Sequence, residues 1–77
     1  MLNKEIKGII SAMFTSDTPN GVTYHVIIKR FNKKNAQQVT EFKLTEPYHD
    51  LNIGDLIKLK YNPLTRKAHL LDVSNVQ

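Results

Sequence analysis

The chain has 77 residues, no cysteine, and eleven Lys and Arg against seven Asp and Glu, for a net charge of +4. A single domain of this size (residues 1–77) buries only about 60% of its unfolded surface; it has no room for a separate catalytic domain, and without thiols it has neither disulfides nor thiolate metal sites. No apolar run matches a signal peptide or the ~20 residues of a membrane span, so the expectation is a soluble, cytoplasmic, membrane-free protein that favours an anionic partner.

The first predicted strand covers residues 5–15. Ile6, Gly8, Ile10, Ala12 and Phe14 share one face at period two, with Ile9 and Met13 on the other. A mid-strand glycine marks a bend, a bulge or a close backbone approach. Gly8 therefore suggests a long, bent strand that serves both halves of a small barrel. Residues 16–21, Ser-Asp-Thr-Pro-Asn-Gly, are dense turn chemistry, with Asn20-Gly21 as the hairpin signal.

The second predicted strand, residues 22–31, is rich in β-branched and aromatic residues. Val26 and Ile28 mark its core face, with Tyr24 and Arg30 at the rims of that face; His25, Lys29 and Phe31 then point outward. After the polar connection 32–36, residues 38–44 form a third strand that turns Thr40, Phe42 and Leu44 one way and Val39, Glu41 and Lys43 the other. Pro47 keeps the connector 45–52 from being helical beyond one short turn. A turn at 53–55 leads into the fourth strand, 56–61, where Ile57, Leu59 and Tyr61 alternate with Lys58 and Lys60. A basic turn holding Pro63 leads to the last strand, 68–73. Five short strands in under 80 residues predict an all-β, five-stranded barrel with little or no helix.

The stretch from Gly54-Asp55 through the alternating strand, the Pro63 turn and Arg66-Lys67 to Val73 resembles the closing hairpin of S1-like OB-fold domains, the bacterial initiation-factor family included. Ile6-Lys7-Gly8-Ile9-Ile10 is similar to their first strand. The resemblance covers about half the chain. It implies an OB-like barrel, a fold that mostly binds oligonucleotides across strands two and three and the flanking loops. Two features depart from the family: Glu46-Pro47-Tyr48-His49-Asp50 is neither basic nor helical, and strand two lacks the usual aromatic–aliphatic pattern. The resemblance therefore carries the barrel and not a ribosomal role.

Eight of the eleven cations fall in two acid-free stretches: Lys29, Arg30, Lys33 and Lys34, then Lys58, Lys60, Arg66 and Lys67. Cations gathered at strand ends and turns, with aromatics among them, suit a polyanion whose bases stack. The expected binding residues are these eight and Lys43, with Phe31 as the stacking ring and Tyr24 and Tyr48 as further candidates. Chemistry beyond binding finds little support. His25, His49 and His69 lack metal-ligand spacing, the glycines at 8, 21 and 54 form no phosphate loop, and Ser11, Ser16 and Ser74 assemble with no evident base. The chain is read as a non-enzymatic, cofactor-free protein that binds single-stranded DNA or RNA largely without sequence preference. The alternative is a protein-interaction adaptor or inhibitor on the same barrel, which includes self-association, with Ile9, Met13, Leu56 and Leu71 as apolar residues left outside the core.

Overall fold

The computed structural model describes residues 3–31, 36–47 and 50–74, with Phe31 described by its backbone alone. Five strands follow one another: β1 (Lys4–Thr18), β2 (Gly21–Phe31), β3 (Gln37–Leu44), β4 (Leu56–Asn62) and β5 (Lys67–Ser74). They close into a barrel in the order β1-β2-β3-β5-β4. The described residues contain no helix. All neighbouring strands are antiparallel except β3 and β5, which meet in parallel through Lys43 with Lys67 and Leu44 with Ala68.

β1 is shared between the two halves, as its length and glycine suggest. Residues 4–9 pair with β4 and residues 9–18 pair with β2. The partner change needs a close approach at Gly8. A Cβ there would lie 2.1 Å from Ile28 Cγ2 and 2.7 Å from the Lys29 carbonyl oxygen, inside any allowed contact. Glycine alone lets β1 pass this near to β2.

A bulge between Ile10 and Ala12 corrects the expected face assignment. An extra residue on one strand reverses the inside-outside phase beyond it. Ile6, Gly8 and Ile10 point into the barrel before the bulge; after it Met13 packs on the core, while Phe14 is 42% exposed. Phe14 is thus an outer residue and Met13 an inner one, the reverse of an unbroken period-two reading. The hairpin turn falls within the expected 16–21 segment, tightened to two residues: Thr18 pairs with Gly21, so Pro19 and Asn20 form the turn, and Gly21 takes the positive φ of +126°.

The core is filled by alternate residues of every strand: Ile6, Ile10, Val26, Ile28, Phe42, Leu44, Ile57, Leu59 and Ala68, with Leu51 added from the connector. Tyr61 packs edge-on against Phe42, ring centres 5.2 Å apart. Layers of inward side chains of this kind fill the interior of a small barrel. The turn into β4 is fixed by Asp55, a buried carboxylate that accepts a hydrogen bond from the Asn52 amide at 2.9 Å. Next to it, Gly54 N donates to Ile10 O and Ile10 N donates to Asp55 O, both at 2.9 Å. These bonds occupy the backbone of β1 beside its bulge, where it has left β4.

Candidate nucleic-acid interface

Register places the outward side chains in rows across the strands. One row runs Phe14–His25–Lys43–Lys67 over β1, β2, β3 and β5. With strands about 4.8 Å apart, it spans roughly 14 Å. The next rows along β2 are Ala12–Ile27–Glu41 and Ile9–Lys29–Val39. This face therefore carries an exposed aromatic ring, exposed Lys29, Lys43 and Lys67, and an apolar surface that includes Ile9 and Val39.

The aromatic ring is held in place from below. Phe14 stacks on His25, with ring centres 4.5 Å apart and planes within 4°. His25 is only 6% exposed, so its expected outward placement needs correction: it points to the outer face but is buried there under its neighbours. Its Nδ1 lies 2.6 Å from Glu41 Oε2, and its Nε2 lies 2.7 Å from Ser16 Oγ. A carboxylate only accepts, so in the neutral ring Nδ1–H donates to Glu41 and Nε2 accepts from the Ser16 hydroxyl. Both ring nitrogens are satisfied, which permits the burial. The same contact ties Glu41, the acid on this face, to the imidazole.

Hydroxyl, imidazole and carboxylate stand here in the order of a nucleophilic triad. The strand geometry argues against that use. Ser16 lies on a regular ladder opposite Thr23. Successive amides of a strand point to opposite edges, so the strand that carries Ser16 does not itself supply a converging pair of donors. The network fixes the imidazole against which Phe14 stacks.

The other expected residues fall elsewhere. Lys58 and Lys60 lie on the outer face of β4, in the rows Lys7–Lys58–Asp72 and Glu5–Lys60–His69. Lys58 Nζ is 3.6 Å from Glu5 Oε1. Its charge is met locally, and this face mixes signs. Arg66 sits in the exposed β4–β5 turn with φ +62°, a left-handed conformation that costs a non-glycine residue about 1 kcal/mol. The turn is fastened by Asn62, whose Oδ1 accepts from Leu64 N at 2.9 Å and whose carbonyl accepts from Arg66 N at 2.7 Å. Arg30 is half-buried at the end of the inner face of β2, and Tyr24 packs against the core rather than on the outer face. Lys33, Lys34 and Tyr48 lie outside the described residues, as does the Phe31 ring.

Sequence reasoning thus named Lys29, Lys43 and Lys67 among the binding residues, the structure adds Lys67 to the face of the other two, and Phe14 with its His25 support was missed. The signal that was present is the polar pair Ser16 and Glu41 on strands flanking His25. It becomes readable only once the register is known. Comparison with family models, curated proteins and solved structures found no match to this chain.

Proposed function

We propose that the protein is a non-enzymatic binding module for single-stranded nucleic acid, and that the outer face of β1, β2 and β3, with the β4–β5 turn at its end, is the binding surface. The observation that carries this reading is the exposed Phe14 ring, stacked on a buried and fully hydrogen-bonded His25, in one row with Lys43 and Lys67. A fixed ring offers a base a platform worth about 1–3 kcal/mol without demanding a particular base. The lysines beside it supply the phosphate contacts.

The strand order adds support by analogy. A five-stranded barrel with a shared first strand and parallel β3 and β5 is consistent with an OB-like fold. Such folds use the face of strands two and three and the loops β1–β2 and β4–β5. Fold does not fix function, so the weight rests on the side chains. Arg66, kept in a conformation that glycine would hold more cheaply, fits a turn selected for its charge.

The test is fluorescence anisotropy with a labelled 20-nucleotide single strand, DNA and RNA in parallel, between 50 and 200 mM salt. Four contacts, from Lys29, Lys43, Arg66 and Lys67, give an expected slope of log K against log salt near −3, with duplex a poor competitor. Absence of binding to either strand type at 50 mM salt would reject the reading.

A further inference from the structure

A second surface lies where β1 leaves β2. The two strands are last paired at Ile9 and Lys29, after which β1 continues along β4. Between them opens a groove of about 510 Å³, lined by Lys7, Gly8, Ile9, Lys29, Arg30 and Leu56, with Gln37 at its edge. It is about twice the volume of the 260 Å³ hollow beside Pro47. Its floor is aliphatic. Ile9 is 40% exposed and Leu56 partly so, and Gly8, itself buried, lies between Lys7 and Ile9 in the lining.

Three cations rim this floor. Among the described residues, none of Lys7, Lys29 and Arg30 is in an ion pair, in contrast to Lys58 nearby. The Arg30 Nε is buried and has no hydrogen-bond acceptor among the described residues. A buried donor of that kind is costly until an acceptor reaches its group. Among the described residues one backbone edge is also unpaired here. Arg30 and Phe31 pair with Gln38 and Gln37 of β3 on one edge, but have no β1 partner on the other.

An occupant must therefore be apolar in its centre, anionic at its flanks, and able to lie along a strand edge. The described floor, Ile9 and Leu56, is aliphatic and suits an apolar side chain, whereas bases bind best by stacking on aromatic faces. We propose that the groove docks an extended acidic segment of a partner protein: an apolar side chain on Ile9 and Leu56, carboxylates on Lys7, Lys29 and Arg30, and backbone along the free edge of β2. Complementary charge would set its specificity and on-rate, and the apolar contact its residence. This surface adjoins the nucleic-acid face through Lys29 but does not depend on it.

The experiment uses a fluorescein-labelled short peptide alternating leucine with aspartate, against the same peptide with asparagine in place of aspartate. Binding to the full-length protein at 50 mM salt should favour the aspartate peptide by about tenfold or more. Ile9→Glu should abolish that preference. Lys7→Glu, at an exposed position that leaves the floor intact, should weaken it several-fold, with the thermal midpoint of each variant checked. In a Lys29→Gln variant, which removes the one cation the two surfaces share, an unlabelled oligo-dT should leave most of the remaining bound peptide in place. Equal binding of the two peptides, no binding of either, or full displacement by oligo-dT would overturn the proposal. The last outcome would assign the groove to the nucleic-acid surface, while failure of the oligonucleotide itself to bind would count only against the previous reading.

Discussion

The barrel has two basic faces, and they differ in how their cations are placed against acids. On β1, β2 and β3, Lys29, Lys43 and Lys67 stand beside an exposed aromatic ring, and Glu41 is occupied by His25. On β1, β4 and β5, Lys58 and Lys60 are equally basic in sequence, yet Glu5 and Asp72 stand in their rows and Glu5 reaches Lys58. An exposed pair of this kind contributes little to stability, under about 1 kcal/mol. What it changes is the field at the surface. Counting cations along the chain therefore overstates one face and understates the other. Cross-strand pairing decides which charges remain free.

The joint between the faces is the most sensitive point. Gly8→Val should cost about 1–3 kcal/mol of stability or more, because the added Cβ meets Ile28 and a backbone carbonyl; chemical denaturation measures it. An unchanged midpoint would mean that β1 does not cross β2 as described. Next comes the platform. Phe14→Ala should weaken oligonucleotide binding by about 1–3 kcal/mol, read by anisotropy, with Phe14→Leu losing nearly as much because it is apolar but cannot stack. Full binding by the leucine variant would remove stacking from the account.

The charge comparison gives the third prediction. Lys43→Glu with Lys67→Glu should reduce affinity at least about tenfold and flatten the salt slope by more than 1, since two phosphate contacts are lost. Lys58→Glu with Lys60→Glu should change affinity by less than about threefold. Reversal of that order would move the interface to β4. The smallest effect is expected in the support. Ser16→Ala leaves His25 Nε2 without its donor and should cost about 1 kcal/mol of stability, with a modest loss of binding as Phe14 loosens.

These contrasts explain what the sequence could carry. Strand β4 was legible because Ile57, Leu59 and Tyr61 alternate with two lysines without interruption, and a strand faithful to period two declares its own faces. The core faces of β2 and β3 were readable for the same reason. β1 was legible only as far as Ser11. Beyond it a bulge, a feature of pairing rather than of composition, exchanged the faces of Met13 and Phe14. His25 was opaque for a related reason. Its burial arises from Phe14, Ser16 and Glu41, on β1 and β3, and none of these is its neighbour in sequence. The pairing of Lys58 with Glu5, 53 residues apart, likewise exists only in the closed barrel.

The most direct test of the central claim is a titration of the ¹⁵N-labelled protein with a short oligo-dT, followed by amide chemical shifts. The account predicts that shifts concentrate at Phe14, His25, Ile27, Lys29, Lys43, Arg66 and Lys67, while Glu5, Lys58, Lys60 and Asp72 stay in place. Shifts gathered on the second group, or none at saturating oligonucleotide, would contradict it.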